Sequence, residues 1–268
     1  MYDRNLTVAV VREYSQRHNF IRHRMDGTLS DALRRHGISL SATKVRRLDE
    51  YCRLLWDWNT RLNLTRHTDY EKFVSRDLVD ALALAEFLRG GERVLDVGTG
   101  GGVPGIPLAI LRPDLQIELC DSTGKKAMAV SEILRELKLN LPVWHTKVEK
   151  LLPKREKGER FTTLIVRAVS RLADFLRIVA PHWTQFDRLL LVKGPRWPEE
   201  RGEARHHNLT NKLALRCLKT YPTKAADEKT VESVILQICR KECFDDLDQR
   251  IDARKNETLP LPKRRKDE

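Results

Sequence analysis

The chain of 268 residues carries 50 Lys and Arg against 38 Asp and Glu, a net charge of +12, and 41% of its residues are hydrophobic. This hydrophobic content is too high for a wholly disordered protein, and the length excludes a disulfide-stapled mini-protein. The sequence has no run of about 18 apolar residues, as a membrane-spanning helix requires, so we expect no membrane partner. The basic excess fits either a solvated surface rich in Lys and Arg or a partner that carries phosphates.

The five cysteines are widely spaced and form no C-x-x-C pair. Such spacing argues against a zinc site or a disulfide framework, so we expect no metal and reduced thiols in a cytoplasmic protein. The N-terminal region also lacks the long apolar segment of a secretory signal.

The two ends of the chain differ in composition from its middle. Residues 1–24 are basic, and we expect a flexible arm there, with Met25 as an alternative start of the protein. Residues 241–268 mix both charges and predict a solvated tail. Between these ends we expect a helical cap at 25–91 and an α/β domain at 92–240.

The cap is predicted to contain two long helices. Apolar residues recur at three- and four-residue steps over 41–62, which indicates an amphipathic helix. A second helix is predicted to begin at Thr68, because Glu71 follows it at the spacing of a capping box. Gly90 and Gly91 are expected to end this helix, since glycine favours the left-handed conformation found after the last turn.

From residue 93 onward, short β-rich runs alternate with helical ones. This alternation predicts an α/β fold with a mostly parallel seven-stranded sheet and helices on both faces. The last two strands are joined by a linker too short for a crossover helix, so they are expected to pair antiparallel. The predicted strands are 93–97, 116–121, 142–146, 162–167, 189–193, 214–221 and 231–239, and the predicted helices are 105–111, 123–138 and 171–180.

Five glycines lie between Gly98 and Gly105, after the first predicted strand and before a helix. Glycines at that place allow a sharp turn and bring backbone N–H groups close to a ligand. The spacing of Gly100, Gly102 and Gly105 also matches a dinucleotide fingerprint. A nicotinamide-dependent oxidoreductase is therefore one alternative.

Two features of the same segment favour another ligand. Asp96 precedes the loop, where the strand of a dinucleotide fold is usually apolar, and Pro104 stands where a phosphate-binding helix offers free N–H donors. S-adenosylmethionine has no pyrophosphate to bind. Its cationic amino-acid end would suit Asp96, and its ribose hydroxyls would suit Asp121.

Several motifs resemble those of one bacterial enzyme family. The run Leu95–Ala109, LDVGTGGGVPGIPLA, is very close to the family's DVGTGxGxPGIPLA motif, Asn59–Thr65 resembles its WN…NLT signature, and Arg76–Asp80 resembles its RHxxD box. Shorter pairs follow in order at Asp121-Ser122, Val148-Glu149, Arg167-Ala168 and Lys193-Gly194. Over about residues 25–240 the chain resembles the bacterial 16S rRNA guanine-N7 methyltransferases, also called glucose-inhibited division protein B.

This resemblance implies a class I methyltransferase (Rossmann-like) fold at 92–240 with an N-terminal helical cap. It also implies S-adenosylmethionine as the methyl donor and a guanine in the 530 loop of 16S rRNA as the target, in bare RNA or in the 30S subunit. We expect a monomer. A non-catalytic, RNA-binding ribosome-assembly factor with the same fold is a second alternative.

The donor site would be formed mainly by the loop and by the pairs that follow later strands. On this assignment, Gly98→Val is expected to abolish donor binding while the protein stays folded. The resemblance assigns Gly98, Val103, Val148, Glu149 and Arg167 to the donor site, and the chemistry of the segment adds Asp96, Gly100, Asp121 and Ser122.

Two basic residues are candidates for positioning the substrate. Arg167 ends the fourth predicted strand and Lys193 the fifth, at the sheet edge where open α/β folds bind ligands. Arg167 would contact the donor, orient the target base or form an ordinary ion pair; Lys193 would meet RNA phosphate or only mark a turn. No general base is expected, because guanine N7 has an in-plane lone pair and no proton to lose. The chain departs from the family's box at Asp77, where the family usually has His.

Overall fold

The computed structural model describes residues 27–154, 159–224 and 229–243. The predicted arm at 1–24, the possible start at Met25 and residues 244–268 of the predicted tail at 241–268 lie outside these ranges. The first three residues of that tail, Lys241–Cys243, form a 3-10 turn. The first helix, α1 (Leu29–Arg35), begins with a capping box: Thr28 and Asp31 each accept the backbone N–H of the other. The predicted helix at 41–62 is α2 (Ala42–Asn59).

The second predicted helix of the cap is present, but its predicted start is wrong by one residue. Asp69, and not Thr68, is the N-cap, and its carboxylate accepts the N–H of Lys72 at 2.7 Å. A carboxylate at this position also interacts favourably with the positive end of the helix dipole. The helical stretch consists of α3 (Tyr70–Lys72), a π-helical segment (Phe73–Leu78) and α4 (Val79–Ala85).

The predicted end of this helix at Gly90 and Gly91 is also wrong, because the helix ends at Ala85. The Arg112 guanidinium donates to the carbonyls of Ala85 and Leu88, at 2.8 and 2.9 Å. A side chain from a distant part of the chain therefore satisfies the carbonyls that follow the helix, as a glycine cap would otherwise do.

Seven strands of the described chain form one sheet, in the order β3-β2-β1-β4-β5-β7-β6. β7 runs antiparallel to both of its neighbours, and the other pairings are parallel, which confirms the predicted fold class. The strands are β1 (Arg93–Val97), β2 (Gln116–Asp121), β3 (Val143–His145), β4 (Phe161–Arg167), β5 (Phe186–Lys193), β6 (Leu213–Lys224) and β7 (Thr230–Arg240). The remaining helices are α5 (Gly105–Leu111), α6 (Gly124–Glu136), α7 (Val148–Leu151), α8 (Leu172–Val179) and α9 (Trp197–His206), with 3-10 turns at Leu152–Lys154, Ala180–Gln185 and Lys241–Cys243.

Each face of the sheet is covered by a hydrophobic core. The cap, α5 and α6 pack on one face against side chains such as Ile165 and Leu190. Helices α7 and α8 pack on the other face against Leu164 and Leu189. Since strand residues alternate between faces, Arg167, two positions after Ile165, projects on the cap side. The predicted boundary at residue 91 stays a prediction, because the cap and the sheet share a core.

A buried ion pair lies at the amino end of the sheet. Arg188, 1% exposed, donates to both carboxylate oxygens of Glu92, at 3.0 and 3.1 Å, and to Gln237 at 3.0 Å. Glu92 precedes β1, so this pair lies at the sheet edge opposite the glycine-rich loop.

In the described ranges, no helix combines the length and apolar character needed to cross a bilayer. The five cysteines are free thiols, and the residues placed by the structure include no group of three His, Cys, Asp or Glu suited to hold a metal ion.

Candidate functional site

The loop between β1 and α5 turns sharply at the carboxyl edge of the sheet. Gly98, Gly100 and Gly102 have φ angles of +72°, +59° and +96°, in the region that favours glycine. The Tyr51 hydroxyl, from α2 of the cap, donates to the carbonyl of Gly101 at 2.9 Å. The cap therefore supports the loop directly.

Asp96 lies under this loop and is only 1% exposed. Its Oδ2 accepts from the Thr99 hydroxyl at 2.6 Å and from the Gly105 N–H at 2.9 Å. Its Oδ1 is buried and has no hydrogen-bond partner among the described residues. Burial raises the pKa of Asp96 to about 6. A buried carboxylate with one unpaired oxygen is costly unless a hydrogen-bond donor or a cation approaches it, which marks Asp96 as a candidate binding group.

Asp121 ends β2, the strand next to β1, and forms a hydrogen bond with the loop. Its Oδ2 accepts the N–H of Gly100 at 2.9 Å, and its Oδ1 accepts the N–H of Thr123 at 2.8 Å. Each oxygen keeps a further lone pair that a ligand hydroxyl could use. The next residue, Ser122, is exposed beside it.

Three further predicted donor residues lie near the same sheet edge. Val103 packs against the core on the cap face, whereas Val148 packs into the core on the opposite face. Glu149 is half-buried in the first turn of α7, which follows β3. Their contacts with a ligand stay predictions.

Arg167 ends β4 and is bound by two carboxylates of the cap. Its Nε donates to Asp80 and its Nη2 to Asp77, each at 2.6 Å. His67 Nδ1 lies 2.9 Å from the same Asp77 oxygen, and the Tyr221 hydroxyl donates to the other oxygen of Asp80 at 2.8 Å. We call these five residues the Arg167 cluster.

Asp77 and Asp80 are buried, and their carboxylates interact closely with the Arg167 guanidinium. Burial alone would lower the pKa of Arg167, but Asp77 and Asp80 outweigh it and raise that pKa. Burial would raise the pKa of Asp77, but Arg167 and His67 hold it below its ordinary value. Burial raises the pKa of Asp80. With both carboxylates ionised, one guanidinium faces two negative charges.

Lys193 ends β5, as predicted from the sequence. Its Nζ donates to Glu200 at 2.7 Å and to the Ser170 carbonyl at 2.8 Å, and its side chain is largely buried. The structure thus shows its ammonium paired within the protein, and contact with RNA phosphate stays a prediction.

The turn after β4 covers Gly98. Ala168 has φ +53°, and the next residue, Val169, is 41% exposed. A Cβ at Gly98 would lie 2.5 Å from Cγ2 of Val169. Any side chain at Gly98 would therefore disturb the loop itself. Contrary to the expectation from the sequence, a loss of donor binding in Gly98→Val would not be separable from a change in the local structure.

Gly98→Ala is expected to lower the free energy of unfolding by about 1–3 kcal/mol, because it adds a Cβ to a left-handed residue in a crowded place. Adding Val169→Ala should recover the steric part of this loss, with Val169→Ala alone as the control. Denaturant unfolding of the three variants measures both effects. A double variant no more stable than Gly98→Ala would show that Val169 is not the obstacle.

Comparison with known proteins assigns this chain to a family. A family model described as GidB, rRNA small subunit methyltransferase G, matches residues 44–229. Ribosomal RNA small subunit methyltransferase G of Rhodopirellula baltica is 47% identical over 209 residues, which cover 78% of this chain and 89% of the relative. The chain belongs to the rRNA small subunit methyltransferase G family.

Other relatives agree with this assignment. The Pseudomonas aeruginosa (strain LESB58) protein of the same name is 41% identical over 165 residues, 61% of this chain and 75% of that one. Among solved structures, the O-methyltransferase TomG of Streptomyces achromogenes, in complex with SAM, has a TM-score of 0.50 at 17% identity and covers 72% of this chain and 90% of that chain. This structural likeness shows a shared fold only.

The sequence alone did not indicate most residues of the Arg167 cluster. Asp80 belongs to the segment that resembles the RHxxD box, but the sequence indicated no partner for it. Asp77 was identified only as a departure from the family's His. His67 and Tyr221 gave no signal, because neither lies in a recognised motif. The structure places the His67 imidazole against Asp77.

Proposed function

We propose that this methyltransferase transfers a methyl group from S-adenosylmethionine to N7 of a guanine in the 530 loop of 16S rRNA. Family membership supports an rRNA substrate and favours this function over a nicotinamide-dependent oxidoreductase. The observation that carries the donor assignment is the unpaired, buried Oδ1 of Asp96 under the glycine-rich loop. The protein would act in the cytoplasm, as a monomer, on bare 16S rRNA or on the 30S subunit.

The residues around the loop fit this donor. Asp96 would accept a hydrogen bond from the amine of the donor's amino-acid end, and Asp121 would accept from the donor's ribose hydroxyls. Gly100 leaves space for close approach of the donor to the backbone, and Gly98 allows the loop to turn. When bound, S-adenosylmethionine supplies an electrophilic methyl carbon on a sulfonium. The remaining proposed contacts are Val103, Ser122, Val148, Glu149 and Arg167.

The protein's own part in the reaction is positioning. Guanine N7 loses no proton, so no side chain needs to act as a general base. Alignment of reacting groups can supply roughly 7–11 kcal/mol of the barrier reduction. Arg167 would orient the target base, and Lys193 would contact RNA phosphate after leaving Glu200. The base must leave its stack to reach the site, which suits an RNA loop.

Donor affinity is expected to fall as the pH drops below the pKa of Asp96, about 6. Protonation removes the charge that attracts the donor amine, so affinity should fall about tenfold per pH unit below that value. The raised pKa favours the protonated form of the folded state, so Asp96 itself makes the protein more stable, not less, as the pH falls from 6 towards 4. Calorimetric titration at pH 5, 6 and 7 measures the effect. An affinity that does not change with pH would argue against Asp96 as the amine ligand.

The proposed reaction is tested with labelled donor and 16S rRNA, or 30S particles, that lack the modification. Reduction and aniline cleavage break RNA at N7-methylguanosine, and reverse transcription then locates the break. We expect a single stop in the 530 loop. Label on another nucleotide would refute the target assignment. Donor binding without any label would favour the ribosome-assembly factor.

A further inference from the structure

We propose that Asp77 and Asp80 are positioning residues for methyl transfer: they hold the guanidinium of Arg167 toward the target base and offset its positive charge. This inference rests on the proposed function. Asp77 and Asp80 are buried, and each accepts a hydrogen bond from the Arg167 guanidinium, so neither carboxylate is assigned to the reacting atoms. Both act through Arg167.

The contacts fix Arg167 in one orientation. Two different guanidinium nitrogens, Nε and Nη2, donate to two different carboxylates. Each carboxylate is held in turn, Asp77 by His67 and Asp80 by Tyr221. A guanidinium held in this way cannot rotate without breaking two charge-assisted hydrogen bonds.

The third nitrogen of Arg167 is the group left for a substrate. Nη1 has no hydrogen-bond partner among the described residues, and 16% of the side chain is exposed. Arg167 is followed directly by the turn of Ala168 and Val169, which covers Gly98. Since Nε and Nη2 are bound by the cap carboxylates, the N–H groups of Nη1 are the ones that would donate to O6 of a guanine placed above the loop. Adenine carries an amino group in place of O6. Since that group donates hydrogen bonds, as Nη1 does, adenine would be rejected.

The charges of Asp77 and Asp80 suit the reaction, as does the orientation that they give to Arg167. The N7 lone pair forms the new N–C bond while the C–S bond of the donor breaks and leaves its electron pair on sulfur. The positive charge therefore passes to the guanine ring, and no proton moves. An arginine alone would oppose this change, whereas the carboxylates of Asp77 and Asp80 offset the positive charge of the guanidinium and favour it.

The chain offers a matched control for a purely structural role. The Glu92–Arg188 pair is also buried and joins a carboxylate to an arginine, but it lies at the opposite edge of the same sheet. The experiment compares Asp77→Asn, Asp80→Asn and Tyr221→Phe with Glu92→Gln in the full chain. For each variant, the melting temperature, the donor Kd, the RNA Kd and the single-turnover rate on 16S rRNA are measured.

We expect Asp77→Asn and Asp80→Asn to slow the single-turnover rate at least about 30-fold, with both Kd values within about threefold of wild type. Tyr221→Phe keeps both charges and should slow the rate about three- to tenfold, which provides a test even if an Asp variant fails to fold. Glu92→Gln should lower the melting temperature and leave the rate within about twofold. The inference is overturned if the folded cluster variants slow the reaction no more than Glu92→Gln. If the wild-type protein itself labels no guanine N7, the proposed function fails instead.

Discussion

Replacing Asp96 by asparagine is expected to weaken S-adenosylmethionine binding about 100-fold while the protein stays folded. The substitution removes the charge of Oδ1, the buried oxygen without a partner, but keeps an oxygen that can accept from Gly105. A hydrogen bond between charged groups contributes about 1.5–3 kcal/mol, and a factor of 100 in Kd corresponds to about 2.7 kcal/mol. Isothermal titration calorimetry measures the change.

The free energy of unfolding should not fall in the Asp96→Asn variant. The pKa of Asp96 is raised by burial from 3.8 to about 6, so ionised Asp96 costs the folded protein about 3 kcal/mol at neutral pH. Thr99→Val is the control, because it removes one partner of Oδ2 and leaves Oδ1 in place. We expect its donor affinity to stay within about threefold of wild type. Wild-type affinity in Asp96→Asn would remove Asp96 from the donor site.

Arg167→Met is expected to reduce methylation at least about 100-fold and to lower the free energy of unfolding by about 3–5 kcal/mol. The loss of stability follows because Asp77 and Asp80 would remain buried without their cation. Denaturant unfolding and methylation of 16S rRNA measure the two effects separately.

A triple variant separates the two roles of Arg167. Combining Arg167→Met with Asp77→Asn and Asp80→Asn removes the uncompensated charges, so much of the stability should return. Methylation should not return, because no guanidinium faces the base. Recovery of activity together with stability would show that Arg167 acts only as a structural ion pair.

The sheet and the loop could be predicted because their signals are local. Alternating β-rich and helical runs indicated the parallel strands, and the glycines between Gly98 and Gly105 indicated the loop. The ends of the cap helix could not be predicted in the same way. Arg112, from the end of α5, satisfies the carbonyls near Ala85, and nothing near Gly90 indicates that contact.

The candidate site shows the same limit. Sequence motifs identified Asp96 and Arg167, but not that one oxygen of Asp96 lacks a partner or that Arg167 is held by the cap. Tyr221 and Asp80 are 141 positions apart in the chain, and Arg167 and Asp77 are 90 apart. Only the packing of the cap against the sheet brings these side chains together. The chemistry of single residues was therefore predictable, whereas their pairing required the fold.

The most direct test of this account is a crystal structure of the protein with S-adenosylhomocysteine, the product left by the donor. We expect the ligand to lie against the bend after β1, with its amino group about 3 Å from Oδ1 of Asp96 and its ribose beside Asp121. A bend that stays empty at saturating ligand, or that binds a nicotinamide dinucleotide instead, would contradict the account.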